Sequence, residues 1–533
     1  MARTIETDLC IIGSGITAAM VAEHVAEHRD ARILVLEAGD ESVPLGERGL
    51  RRQRFLDYGE NAWLHDHVDG MEVAGIQSRT MQVGGQAMHW GGVTPRYSPE
   101  DFRVRSLYGI GDDWPVSYQD LDPFYQEAEE RLGVSGAQGP TDLDPRGQPY
   151  PLPPLPLSWN LEQLKTWGEK ADIPFWSQPS AKASQPWRGR AACCRSDTCA
   201  PICPVGAKYS PDFTWNALRQ TSQFSLIPRT LVRRLVPAEG SSQIAHAVAV
   251  NRDSPDDPVE IRARTFVVAC GYLWSPYLLL LSAGGRYPGG IANSSGLVGK
   301  YITGHRNVVG YVKLPFKLFP GMNAQHSLVT KHFMRPGPLK RYLRHDLRIW
   351  ESTYAREPRF RDEQGRLLLG DATMTDWRAR TTDGVARLRG YYDVHPAKDS
   401  GIVLDASRRT PWGDPLPRLT LIDGDASREL RGYSEESIEG VFRRMARAGG
   451  GEVLRVRQDA FQDHPAGGCR MGDDPSTSVV DSWGRTHDHE NLFVVGAPTC
   501  VSASCANGTL TFSALALRAA SKIAEAFPER PAG

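Results

Sequence analysis

The first forty residues alternate between apolar runs and glycine or polar breaks. Residues 9–12 are strongly apolar, Gly13-Ser14-Gly15 interrupts them, a run with helical spacing continues to about His28, and residues 33–36 form a second apolar run that ends at Glu37. The pattern predicts strand, tight turn, helix and strand, the βαβ unit of a dinucleotide-binding domain. Further on, it predicts a helix over 121–132, a stiff extended connector over the proline-rich 145–156, strands over 226–236 and 245–251, and a buried strand over 264–271. A leucine-rich helix starts at Ser275-Pro276 and closes at Gly284-Gly285. From 308 to 455, alternating stretches such as 308–314 and 401–405 predict an antiparallel sheet with helices, and the C-terminal part reads as a strand over 491–496 and a helix over 509–526.

These elements describe an α/β chain, α+β overall. A Rossmann-like nucleotide domain is assembled from 1–110, 190–307 and 456–533, 111–189 forms a helical connector on the substrate side, and 308–455 forms the substrate domain. In the opening unit Gly13 allows the sharp turn, and Gly15 lets a pyrophosphate approach the backbone at a helix N-terminus. Ala18 is small enough for close helix–strand packing, and Glu37 is placed to accept hydrogen bonds from ribose hydroxyls.

At 533 residues the chain is too long for one hydrophobic core. A net charge of −1 gives no basic footprint for nucleic acid, and the apolar stretches near 266–270 and 277–281 are too short to span a bilayer. The polar start runs straight into the first strand. The expectation is therefore no signal peptide and a cytoplasmic location, or export with a signal-bearing partner. Of nine cysteines, Cys193, Cys194, Cys199 and Cys203 crowd into one loop, which favours a metal or cluster site over disulfides. Dense thiolates suit iron–sulfur or zinc, and Cys203-Pro204 closing a short-spaced run suits ferredoxin-type ligation.

Residues 81–97 contain two glycine pairs around His89-Trp90, a segment able to lay backbone flat on a planar ligand. From Val83-Gly84-Gly85 to His89-Trp90-Gly91-Gly92 the chain resembles the flavin-contacting segment of the glucose–methanol–choline (GMC) oxidoreductases, most closely the pyranose 2-oxidase branch and the fructose, gluconate and glucose dehydrogenase large subunits. The resemblance extends from Asp8 to Ala526 and implies FAD as cofactor. It implies contacts from Gly84, Gly85, Trp90, Gly91, Val232, Gly271, Gly496 and Thr509, and makes His89 a candidate for a covalent flavin bond, against a histidine that only packs near the ring. The cysteine loop resembles that of sugar dehydrogenases carrying a [3Fe–4S] cluster, with Cys194, Cys199 and Cys203 as ligands, Cys193 spare, and an electron-accepting or small partner subunit. Structural thiols are the alternative.

Alcohol oxidation needs a base near the hydroxyl and a second polar group to hold its oxygen. His464, in His464-Pro-Ala-Gly-Gly-Cys469, and Asn507 match the catalytic pair of the family. His487 and His489 read as surface residues. The expected activity is FAD-dependent oxidation of a secondary hydroxyl of a sugar, glycoside or polyol, with electrons leaving through a cluster. The rivals are an oxidase that reduces oxygen to peroxide, and a non-redox or electron-transfer flavoprotein.

Overall fold

The computed structural model describes residues 3–63, 80–319, 326–335, 343–353, 358–362, 364–382 and 384–530. In chain order its strands are β1 (Arg3–Ile12), β2 (Ile33–Leu36), β3 (Trp176–Ser177), β4 (Phe224–Ile227), β5 (Thr230–Pro237), β6 (Ile244–Asn251), β7 (Ser254–Val268), β8 (Thr303–Lys313), β9 (Leu328–Thr330), β10 (His345–Glu351), β11 (Val385–Asp393), β12 (Gly401–Arg409), β13 (Pro415–Thr420), β14 (Glu452–Ala466) and β15 (Leu492–Val494).

The first sheet runs β4-β2-β1-β7-β6-β5, with β15 also on β7. Its central pairs are parallel, and the apolar ends of β1 and β2 are buried, as continuous apolar runs in a sheet covered on both faces should be. Register aligns the strand ends. Ile12 pairs with Leu36 and with Val268, and Val268 pairs with Val494, so the turns after β1, β2, β7 and β15 open along one edge. That edge is where open α/β sheets bind ligands. The helix Ile16–His28 packs beside the C-terminal helix Thr509–Ala524.

The second sheet is antiparallel, in the order β14-β8-β11-β10-β9-β3. One face carries Val308, Val312, Ala386, Leu388, Leu347 and Ile349, and the helix Asp425–Gly449 lays Ile438, Phe442 and Met445 on it. Gly310 and Gly390 let that helix approach closely: a Cβ on either would lie 2.5 Å from Phe442 or Ile438. By strand alternation the opposite face presents Arg348, Trp350, Arg387, Arg389 and Tyr391.

Several elements differ from expectation. The stretch 226–236 is two strands, broken at Pro228-Arg229 where Arg229 takes φ +54°, so that β4 can pair with β2 before β5 turns away. The strand expected at 264–271 is the end of the longer β7. The segment 111–189 does not lie wholly on the substrate side. Helix Tyr118–Leu132, started by a Ser117–Asp120 capping box, buries Leu121, Tyr125 and Leu132 in the first core, whereas helix Trp159–Glu169 buries Leu161, Leu164 and Trp167 in the second. His489 is fully buried rather than exposed, its Nδ1 3.2 Å from the Ser242 carbonyl. Among the described residues no helix is long and apolar enough to cross a membrane.

Phe442 is fully buried at the helix–sheet contact. Phe442→Ala is expected to cost the second half of the chain about 3–5 kcal/mol, read as an earlier melting transition in differential scanning calorimetry while the first-sheet transition stays in place.

Candidate functional site

A cavity of about 1300 Å³ lies between the aligned strand ends of the first sheet and the polar face of the second. Gly13, with φ +97°, makes the turn after β1, where a Cβ would lie 2.8 Å from the Ala269 carbonyl oxygen. Gly15 begins the helix Ile16–His28 without a side-chain cap, and no atom stands where its Cβ would be. This end of the helix therefore offers backbone N–H groups and the positive end of its dipole to the cavity, a setting suited to a pyrophosphate.

Glu37 is buried beside the turn, and burial pushes its carboxyl above the usual range. Its Oε2 accepts from the Ser14 N–H at 3.0 Å and the Ser14 hydroxyl at 2.6 Å, and its Oε1 accepts from the Gly39 N–H at 2.8 Å. A carboxylate has about four acceptor positions, so one remains for a ribose hydroxyl. The same Ser14 hydroxyl accepts from the Gly84 N–H at 3.1 Å and so ties the glycine-rich loop to the β1 turn.

Gly13, Gly15, Glu37, Gly85, Trp90, Gly91, Val232, Gly271 and Thr509 all line the cavity. Ala18, Gly84 and Gly496 stand behind it: Ala18 is buried in the helix packing, Gly84 bonds Ser14, and a Cβ on Gly496 would lie 2.5 Å from Thr17. His89 is not part of the lining. Its ring centroid lies 5.7 Å from that of Trp63, and its Nε2 is 3.4 Å from Gln82 Nε2. Trp90 and Gly91, and not the imidazole, line the cavity.

The loop is braced from the rear. Lys208 is buried, and its Nζ donates to the carbonyls of Met88, Trp90 and Cys199 at 2.9, 2.7 and 2.6 Å, while burial pulls its pKa down to about 7. Trp90 Nε1 donates to the Tyr209 carbonyl at 2.8 Å. Arg96 holds Glu129 through two hydrogen bonds of 2.8 and 3.0 Å.

The cysteines do not form the expected ligand set. Among the described residues no three His, Cys, Asp or Glu side chains are gathered as a metal ion requires. Cys194 is exposed, Cys193 is half-buried, and Cys199 and Cys203 are buried in a turn closed around the Lys208 contact. The [3Fe–4S] expectation is therefore corrected: these residues do not fit a cluster.

At the other end of the cavity the structure brings His464 and Asn507 together, with Asn507 Nδ2 2.9 Å from His464 Nε2. His464 sits at φ +50° in an irregular stretch of β14, where register shifts between Asp459, Asp463 and Ala466 turn the strand out of its pleat. Three further residues complete the group. Arg348 Nη2 donates to Asn507 Oδ1 at 2.5 Å, His305 Nε2 lies 2.8 Å from His464 Nδ1, and His305 Nδ1 lies 3.2 Å from the Ser504 carbonyl oxygen.

Hydrogen-bond chemistry assigns the protons from both ends. A guanidinium only donates, so the Asn507 atom facing Arg348 is oxygen, its amide N–H faces His464, and His464 Nε2 accepts. At the far end a carbonyl only accepts, so His305 carries its proton on Nδ1, its Nε2 accepts, and His464 carries its proton on Nδ1. Both routes leave the His464 Nε2 lone pair at the cavity. The histidines are neutral. Burial, then Arg348 and Arg389, pull His464 down to about 3, while burial, then His464, depress His305 well below its ordinary value.

His305, Arg348, Arg389 and Tyr391 were not singled out from sequence. The available signal was alternation: Asp346, Arg348 and Trp350, and Arg387, Arg389 and Tyr391, place charged and aromatic side chains every second residue opposite an apolar face.

A βαβ phosphate cradle, a glycine loop facing the same cavity, and a neutral histidine with an amide at its far end define a flavin-dependent oxidoreductase. Residues 396–516 match the family model described as GMC oxidoreductase. The chain is similar to the fructose dehydrogenase large subunit of Gluconobacter japonicus, at 29% identity covering 98% of both chains. It is also similar to the 6'''-hydroxyparomomycin C oxidase of Streptomyces lividus, at 29% identity covering 97% of this chain and 91% of the relative. Its fold is similar to that of a solved pyridoxine 4-oxidase from Mesorbium loti, with TM-score 0.61 and 18% identity over 97% of this chain and 98% of the other. The family match covers residues 396–516, and the likeness to these oxidoreductases extends over nearly the whole chain.

His464, and with it His326 and His345, each held down to about 3 first by burial, are neutral in the folded protein and protonate near 6.5 once unfolded. Their folded values are lowered, so the stability they contribute is complete above pH 6.5 and is lost as pH falls from there toward 3. Within that window each is expected to remove about 1.4 kcal/mol per pH unit. Denaturant titration across the window should show a shallower slope for His464→Asn, a residue that tolerates the left-handed backbone.

Proposed function

We propose that this chain oxidises a secondary CH–OH group of a sugar, glycoside or polyol to a ketone, with FAD in the cavity. The observation that carries the reading is the assigned lone pair on His464 Nε2 beside the Asn507 N–H. Bound FAD supplies the two-electron acceptor. A substrate hydroxyl entering between the two side chains replaces their direct contact: its oxygen accepts from Asn507 Nδ2, and its proton passes to Nε2. Asn507 then holds the oxygen while it carries negative charge, and Arg348 on Oδ1 keeps the amide from rotating. The resulting imidazolium keeps its Nδ1–H donated to His305 Nε2, a neutral acceptor oriented by the Ser504 carbonyl. At the nucleotide end, the helix N-terminus at Gly15 and the free acceptor position of Glu37 bind and orient the ADP portion and do no chemistry.

Support for the substrate class comes from the relatives, a fructose dehydrogenase subunit and an aminoglycoside oxidase, both matched over nearly the whole chain. The first is a large subunit, which supports an electron-accepting partner for this chain, tested by co-purification from the source cells. Electrons leave without a cluster in this reading, since the thiols are not gathered.

His464→Ala is expected to lower the rate of flavin reduction by substrate about 10²–10⁴-fold, measured anaerobically by stopped-flow absorbance, with FAD still bound. Wild-type reduction rates in that variant would refute the assignment. Purified holoenzyme is expected to show a flavin spectrum, to release its flavin on acid precipitation and to contain no stoichiometric iron. Iron at cluster stoichiometry would restore the cluster reading. Dye reduction compared with oxygen consumption then assigns the acceptor.

A further inference from the structure

The polar face of the second sheet carries more positive charge toward the cavity than the proton-transfer chemistry uses. In register, Arg348 lies directly opposite Arg389, and Trp350 directly opposite Arg387. Like charges directly opposite on adjacent strands destabilise a sheet, and all four side chains line the cavity. Arg348 is answered by Asp346 at 2.7 Å and is committed to Asn507. Arg389 donates to Asn307 at 2.9 Å and has Asp459 at 3.9 Å.

Arg387 differs from both. Its guanidinium stands 4.9 Å from the Trp350 ring centroid, its Nε is buried without an acceptor, and it has no carboxylate partner among the described residues. Along β11 the order Asp393, Tyr391, Arg389, Arg387 runs away from His305. Two residues of strand place the Arg387–Trp350 pair about 7 Å beyond the Arg348–Arg389 pair. A planar donor stacked on an indole with open N–H groups is suited to a carboxylate or phosphate.

The cavity also holds acids at this end, Glu351 and Asp197. Burial, with Asp197 adding to it, pushes Glu351 up to about 7. A carboxyl raised that far is only partly ionised near neutral pH, so Glu351 offsets the arginine row less than an ordinary carboxylate would.

We propose that the substrate of this site carries an anionic group, a carboxylate or phosphate, on the part of the molecule beyond the reacting carbon, held by Arg387 over Trp350 with Arg389 beside it. The proposal rests on the CH–OH oxidation reading for the position of the reacting carbon. An anion there also offsets the positive potential that Arg348 and Arg389 place on His464, so binding and proton acceptance reinforce each other.

The test uses FAD-loaded full-length protein and four probes at matched ionic strength: D-glucose, D-glucuronate, D-glucose 6-phosphate and D-glucosamine. Affinity is read by calorimetry, and flavin reduction is followed separately. At least one anionic sugar is expected to bind about 10- to 100-fold more tightly than glucose, and the better of the two identifies carboxylate or phosphate. Arg387→Met is expected to collapse that ratio, and Arg387→Lys, which keeps the charge but loses the planar fork, to retain only part of it. The ratio is internal to each variant, so general damage to the fold does not mimic the result.

Equal binding of glucose, tighter binding of glucosamine, no binding of either anionic sugar, or a preference that survives Arg387→Met would each overturn the proposal. Anion preference without flavin reduction by any probe would leave it standing and count against the oxidation reading. Flavin reduction without anion preference would do the reverse.

Discussion

One run of hydrogen bonds has its direction set at both ends, and the chemistry of the site depends on it. Arg348 can only donate and the Ser504 carbonyl can only accept. Between them Asn507, His464 and His305 have no freedom in where their protons lie. The lone pair facing the cavity is therefore a property of the fold, present before any ligand arrives. Without Arg348 the amide would be free to rotate, and without the Ser504 carbonyl the imidazole would be free to change tautomer.

That run crosses both halves of the molecule. Arg348 and His305 come from the second sheet, His464 from the irregular end of β14, and Ser504 and Asn507 from the loop that precedes the C-terminal helix of the first. The packing of the helix Asp425–Gly449 on the second sheet, and the register that levels the strand ends of the first, therefore meet at one set of distances. The φ of +50° at His464 is held because β14 must leave its pleat to bring the ring to His305.

Much of this was legible beforehand. Residues 9–37 gave the turn, the helix start and the acid in order, and the structure places Gly13, Gly15 and Glu37 on the cavity wall. His464 and Asn507 were chosen from widely separated segments, and the structure sets them in contact. His305, Arg348 and Arg389 were not legible, because a charged residue at every second position of a strand usually marks a solvent face. Nothing in the local pattern shows that another sheet will cover that face. The cysteine loop misled for the opposite reason: spacing shows how near thiols can come, not which way they turn, and Cys194 turns outward while Cys199 and Cys203 turn inward.

Three backbone carbonyls converge on Lys208 Nζ. The loop that faces the cofactor is thus templated by a cation carried on the chain itself. Its order is inherited at folding, and with the Lys208 pKa held at about 7 by burial the clamp responds to pH through that value rather than to the salt around it. The four methylenes of the lysine stem also fix how far that cation can stray, so the backbone at Met88 and Trp90 is clamped to the cysteine loop by a charge that cannot diffuse away.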